Sequence, residues 1–255
     1  MLLAIDIGNT NIVIGCIRDD RILFKARIAT DYTRTSDQYG VEIKNMLEAF
    51  GVHKEDISDC IISSVVPPVF HSIRTGVVKV IGKQPMVVGP GLKTGLDIQV
   101  DSPAQVGSDR IVIAVAALAE YDGPLILIDL GTATTVEVVA KPKTYLGGVI
   151  YPGVKLSLDA LTSRAAQLPG ISLDKPRQVI GKNTVDCMRS GMMYGTAAML
   201  DGIIDRIEDE LGYPCTLVAT GGLAQFVIPL CKRQIILEKD LLLKGLNIIY
   251  KKNRR

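Results

Sequence analysis

Two stretches of this chain, "LLAIDIGNTNIVIG" at the start and "LILIDLGTATTVEVVA" past the midpoint, follow one plan. An apolar run closes on Asp-x-Gly, small hydroxyl and amide residues follow, and a second apolar run begins. Asp6, Gly8 and Thr10 correspond to Asp129, Gly131 and Ala133, nearly half of the 255-residue chain apart. A period of 20 to 50 residues would mean a solenoid; a repeat at half the chain length means duplication of a whole domain.

The surroundings repeat as well. "LLAIDIG", "IVIGCIR" and "RILFKARIA" form a three-strand meander. "TSDQYGVEIKNMLEAFG" then places Val41, Ile43, Met46, Leu47 and Phe50 at near-helical spacing between a Ser/Asp start and Gly51. "CIISSVVP" is a β-branched run halted by Pro67 and Pro68, "PVFHSIRTGVVKVIG" has helical spacing, and "PMVV" is a brief strand. The first half thus spells βββαβαβ. After "EYDGP" the order restarts with "LILIDLG", "TTVEVVA" and "YLGGVIYPG", the turn "KPKT" lying between the last two. Helical stretches "KLSLDALTSRAAQL" and "VDCMRSGMMYGTAAMLDGIIDRIEDELG", the strand "CTLVAT", the turn "GGLAQF" and a closing "IILEKDLLLKGLNIIY" complete it. The expectation is an α/β protein of two domains, 1–117 and 118–255. Between the halves, Gly89 to Ser108 is rich in Gly, Pro and Asp; a long connection of that kind usually binds or gates something.

Composition narrows the class. With 47% hydrophobic and 22% charged residues the chain is globular, and a net charge of +2 advertises neither a nucleic-acid nor a membrane-surface partner. The longest apolar run, "IVIAVAALA", falls far short of the ~18 residues a membrane span needs. Asp6 interrupts the apolar start before a signal peptide could form. Five scattered cysteines without a CxxC suggest reduced, mostly buried thiols, in keeping with a cytoplasmic protein.

Phosphate binding requires backbone N–H groups around the oxygens, and a turn of Gly, Asn and Thr offers them without bulk, while Asp supplies a Mg²⁺ attachment. One Asp-x-Gly is weak evidence, since both residues favour turns. Two at the same point of duplicated meanders indicate nucleotide phosphates held between two similar domains. Gly221 and Gly222, in a turn between a strand and a helix, let an adenine ring approach the backbone. "VGSDRIVIAVAALA" puts Asp109 and Arg110 at a helix start, either as an ordinary N-terminal acid beside a surface charge or as a carboxylate base beside a guanidinium that holds an anionic substrate.

Other chemistry finds no support. His53 and His71 lack metal-ligand spacing, Ser63 and Ser64 lack a GxSxG context, no Walker A is present, and Met192 and Met193 read as core or interface filler.

"DIGNTNIVIG", "GLKTGLDIQVDSPAQVGSDRIV", "IDLGTATT", "GGVIYPGVKLSLDAL", "AAQLP" and "IGKNTVDCMRSGMMYG", in this order over nearly the whole chain, resemble the type III pantothenate kinases. These belong to the actin-like, sugar-kinase and Hsp70-like ATPase superfamily, in which two duplicated RNase H-like domains flank a nucleotide cleft. The resemblance implies ATP-dependent phosphorylation of the primary hydroxyl of pantothenate, the first step of coenzyme A synthesis. By that match Asp109 is the proton acceptor, and Gly107, Ser108, Arg110 and Thr184 contact pantothenate. Asp6, Ile7, Gly8, Asn9, Thr10, Asn11, Ile12 and Val13 line ATP, with Asp6 serving Mg²⁺ through the phosphates. Gly131 and Thr132 contact the phosphates, and Asp129 matches the ligand of a monovalent cation, potassium or ammonium. The resemblance further implies a homodimer. Val100 stands where the family often has a substrate-packing tyrosine, and Ser108 where alanine is common. Two other classes share the architecture: an accessory protein that keeps the nucleotide cleft without catalysis, and a filament-forming actin-like protein, which the short chain disfavours.

Overall fold

The computed structural model describes residues 1–254. Its first half contains β1 (Leu2–Ile7), β2 (Asn11–Arg18), β3 (Arg21–Ala29), α1 (Ser36–Ala49), β4 (Asp59–Ser64), α2 (Pro67–Ile81), β5 (Met86–Val87), β6 (Asp97–Ile98) and α3 (Ser108–Glu120). The second contains β7 (Leu125–Leu130), β8 (Ala133–Ala140), β9 (Thr144–Pro152), α4 (Val154–Arg164), α5 (Thr184–Leu211), β10 (Thr216–Thr220), α6 (Ala224–Val227), β11 (Ile236–Leu237) and α7 (Leu241–Asn253).

The chain divides into two compact units. One comprises Met1–Leu96, Asp101–Ala116 and the segment from Asp240 onward; the other comprises Asp97–Val100 and Ala117–Lys239. The first sheet runs β3-β2-β1-β4-β5 and the second β11-β10-β7-β8-β9-β6. Written from the other edge, the second is the same series of meander and two parallel strands, with β6 added beyond β9. The duplication seen in the sequence is therefore a duplication of topology. The added strand comes from the Gly- and Pro-rich connection: Asp97 and Ile98 run parallel to Thr144 and Tyr145 of β9.

The first unit is layered. Leu3, Ile5 and Ile7 of β1, with Ile12, Ile14, Cys60 and Ile62, bury one sheet face against Tyr39, Ile43 and Leu47 of α1 and Val69, Ile73 and Val77 of α2. Burying each such aliphatic side chain contributes about 1.5–3 kcal/mol. α1 begins on the Ser/Asp pair, at Ser36, and the cap is the residue before it: Thr35 makes a reciprocal capping box with Gln38. α2 starts on Pro67 and Pro68, whose missing N–H groups a first helical turn does not need, and ends at Gly82 in the left-handed region. α7 packs on the other sheet face, against β1 and β4. Its glycine Gly245 lies on α3, where a Cβ would stand 2.1 Å from the Val112 carbonyl oxygen. Its Leu243 covers Gly15 of β2. With both faces covered, β1 is buried along its whole length, which explains its unbroken apolar run.

In the second unit Ile126, Ile128, Leu130 and Val136 pack on Met193, Ala197, Leu200 and Ile204 of α5. Met193 is thus core, and Met192 packs against that core.

The two hairpins match less simply than the sequence suggests. Ile7 pairs with Ile12 across the first turn, and Leu130 with Thr134 across the second. The second turn is therefore one residue shorter, and the correspondence of Thr10 with Ala133 slips after the glycine. Of the five free thiols only Cys16 and Cys60 are buried; Cys187 is exposed, and Cys215 and Cys231 are half-buried. Among the described residues no helix is long and apolar enough to cross a membrane.

Candidate active site

At the end of β1, Asp6 is buried and the chain turns at once through Gly8, Asn9, Thr10 and Asn11. The Gly8 N–H donates to the Asn11 carbonyl at 3.0 Å, and the Thr30 hydroxyl donates to the Gly8 carbonyl at 2.6 Å, so the turn is closed and tied to β3. A Cβ on Gly8 would press to 3.0 Å from the Asn11 oxygen. The side chains of Asn9, Thr10 and Asn11 are exposed, while those of Ile7, Ile12 and Val13 are buried. The tip of this hairpin presents small polar groups and its stem is core.

β4 runs parallel to β1 with Ser63 directly opposite Asp6 and Ser64 opposite Ile7. The first turn of α3 docks on this strand end. The Ser108 Oγ lies 2.9 Å from the Ser63 Oγ, accepts from the Ser64 N–H at 3.1 Å and reaches the Ser64 carbonyl at 3.1 Å. Asp6, Ser63, Ser108 and Asp109 are thereby gathered at one end of the first sheet. The Asp109 Oδ1 accepts from the Arg110 N–H at 2.8 Å, folding the carboxylate over its own helix start, where the unsatisfied amides favour negative charge. Gly107 leaves room for it: a Cβ there would stand 2.5 Å from that oxygen.

The second unit repeats the motif with other residues. Asp129, half-buried, ends β7 directly opposite Thr220 of β10, as Asp6 lies opposite Ser63. The Gly131 N–H donates to the Ala133 carbonyl at 3.1 Å, and the Thr132 carbonyl accepts from the Gly153 N–H at 3.0 Å, anchoring the turn to the start of α4. Gly221, at φ +100°, follows Thr220, and a Cβ on it would meet Asp129 Oδ1 at 2.5 Å and Leu130 N at 2.6 Å. The phosphate-type turn and the Gly221–Gly222 turn, far apart in sequence, are neighbours here. At the base of the second turn Tyr151 lies opposite Thr134, and burial pushes its hydroxyl up to about 12, so it stays protonated.

Thr184 is the first residue of α5 and exposed. The Asn183 side chain caps this helix by accepting from the Asp186 N–H at 2.9 Å. The preceding segment is fastened to α5 by the Ser190 hydroxyl, which donates to the Val179 carbonyl, and by the Arg189 Nε, which donates to the Ser172 carbonyl at 3.3 Å. Val100 lies beside β9, its Cγ1 3.5 Å from where a Gly147 Cβ would be.

Among the described residues no three His, Cys, Asp or Glu side chains cluster as a metal cage. Single carboxylates at the ends of β1 and β7 fit instead cations completed by phosphate oxygens or carbonyls, as Mg²⁺ commonly is. Cavities of about 270 Å³, lined by Leu47, Val52 and His53, and about 260 Å³, lined by Arg18, Asn247 and Tyr250, contain none of the predicted site residues. Sequence reasoning set Ser63 and Ser64 aside as lacking a hydrolase context; what it missed is that they anchor "GSDR". The signal available was only that both end a strand.

Two copies of one sheet topology, each with an aspartate ending its first strand and a tight turn after it, define an actin-like ATPase fold of two RNase H-like domains. The (R)-2-hydroxyglutaryl-CoA dehydratase component A of Acidaminococcus fermentans shares it, with a TM-score of 0.55 over 96% of this chain and 94% of that one at 16% identity. The family model of the type III pantothenate kinases matches residues 2–206. A type III pantothenate kinase of Exiguobacterium sibiricum is 47% identical over 254 residues, covering 100% of both chains. One of Halalkalibacterium halodurans is 43% identical over 99% of this chain and 100% of its own. The chain belongs to the type III pantothenate kinase family.

Proposed function

We propose that this protein transfers the γ-phosphoryl group of ATP to the primary hydroxyl of pantothenate, giving 4′-phosphopantothenate for coenzyme A synthesis. The observation that carries the reading is full-length identity of 47% to a type III pantothenate kinase. Phosphoryl transfer asks little covalent chemistry of the protein and depends on positioning and charge neutralisation. Asp109 accepts the hydroxyl proton, and its placement in the first turn of α3 beside Arg110 supports that role. Gly107, Arg110, Thr184 and Val100 form the pantothenate contacts, with Ser108 taking part through its backbone. Asp6 and the turn to Val13, by backbone where the side chains are core, attend the nucleotide phosphates with Gly131 and Thr132, and Gly221 and Gly222 attend the adenosine. Mg²⁺, held through the phosphates with Asp6, supplies charge neutralisation, and Asp129 holds a potassium or ammonium ion.

The protein is a cytoplasmic homodimer in this reading. Gly148, Ile150 and Pro152 alternate on the exposed face of β9, Leu146 is exposed at the strand's register shift, and Leu156 and Leu161 are exposed on α4, an apolar surface suited to a second copy. The test is ATP-dependent phosphorylation of pantothenate with and without potassium. Product that rises with potassium is expected; no product in either condition overturns the assignment in favour of an accessory protein.

A further inference from the structure

We propose that Ser63, through Ser108, is a positioning residue for Asp109. The inference rests on the kinase reading above but assigns a residue which that reading does not use. A serine hydroxyl offers one donor and two acceptor sites. Ser108 Oγ is engaged inside the protein: it accepts from the Ser64 N–H, lies 3.1 Å from the Ser64 carbonyl to which it can donate, and shares a hydrogen bond of 2.9 Å with the Ser63 hydroxyl. The Ser108 side chain is thus bonded to Ser63 and Ser64 and acts as a clamp between α3 and β4.

The clamp fixes what Asp109 inherits. The Asp109 carboxylate is bonded to the Arg110 N–H of the same turn, so the backbone of residues 108–110, which Ser108 ties to the end of β4, contributes to its direction. Ser63 is fully buried and shares a face with Asp6, its direct partner on β1. One hydroxyl thus references the acceptor segment to β4, the strand paired with the one that carries the phosphate turn. Alanine at 108 alone would leave the buried Ser63 hydroxyl without this partner as well as the Ser64 amide groups, whereas alanine at both places spares the first of these costs.

The test combines kinetics with hydrogen–deuterium exchange on the whole protein. S63A should lower kcat about fivefold, the worth of one net hydrogen bond; S108A, which removes the bonds to Ser64 as well, should lower it further, and the double variant should be no worse than S108A. KM for pantothenate and ATP should stay within about twofold, and S108T should restore kcat. Amides 108–112 should exchange faster in S63A than in the wild type. Unchanged kcat and exchange in S63A, additive losses, or an S108A variant that raises only the pantothenate KM would overturn the clamp. Should S63A fail to fold, S108A against S108T decides: rescue by threonine supports the clamp and equal activity overturns it. If the wild type does not phosphorylate pantothenate, the kinase reading fails on its own, while exchange at 108–112 still decides the clamp.

Discussion

Gly221 and Asp129 are packed so closely that a Cβ on the glycine would stand 2.5 Å from the aspartate Oδ1. Gly221 also has φ +100°, a region side chains rarely enter. G221A therefore forces both backbone strain and a displaced carboxylate at the end of β7. The expected result is destabilisation of about 2–4 kcal/mol with loss of potassium activation beyond the loss of stability. Thermal unfolding and activity measured against potassium concentration check it.

Gly107 constrains Asp109 in the same way without strain. Its would-be Cβ meets the carboxylate tip at 2.5 Å and Val65 at 3.4 Å, so G107A rotates the acid rather than breaking the fold. Turnover should fall about tenfold or more with ATP binding kept, since a misplacement of about 1 Å can cost 100-fold. D109N should keep ATP binding and lose most turnover; full activity in D109N removes Asp109 from the proton-accepting role. Single-turnover kinetics and ATP titration check both.

Much of this arrangement is legible from residue order, and the reason is physical. The meanders and helices follow from periods of about 2 and 3.6, which are local, and the shared Asp-x-Gly follows from what a tight turn after a strand requires. What the residues cannot announce is non-local. "LLLKGLNIIY" forms α7, and nothing within it says that it covers the first sheet; that follows from Leu243 filling the space over Gly15 of β2 and Gly245 admitting the Val112 carbonyl of α3. The "GLDIQV" stretch looks patternless because only Asp97 and Ile98 pair, adding an edge to the second sheet. Ser63 and Ser64 look idle because their partner, Ser108, lies far along the chain.

Asp20 offers a pH test of how α7 is held. Asp19 and Asp20 form the β2–β3 turn with positive φ, and Asp20 Oδ1 accepts from the Asn247 Nδ2 at 2.6 Å and from Lys251. The Lys251 hydrogen bond, then that of Asn247, holds its carboxyl below the usual value. The unfolded chain thus binds more protons in this range. The contribution is fully present above the unfolded carboxylate pKa of about 3.9 and is lost as pH falls through the folded value. D20N tolerates the left-handed turn but removes the charge. Wild type should exceed D20N in melting temperature by about 1–2 °C at pH 7, because the pair is largely exposed and screened. The gap should close near pH 2 and shrink in high salt; a gap independent of pH refutes the charge as its source.

Ile150 tests the assembly. It projects from β9 at 58% exposure, on the face it shares with Gly148 and Pro152. A large aliphatic side chain kept that open is tolerable singly, but here Leu146 at 39% is open on the same strand and Leu156 at 48% and Leu161 at 36% are open on α4. Burial of this surface against a second copy would remove it from water, and a carboxylate at its centre would then be desolvated without a partner. I150E should weaken dimerisation about 100-fold or more, with little change in the unfolding of the monomer because the side chain is solvent-exposed there. Light scattering across a concentration series checks it: a dimeric wild type and a monomeric I150E are expected. A monomeric wild type at tens of micromolar, or an I150E variant that stays dimeric, would assign this face another role.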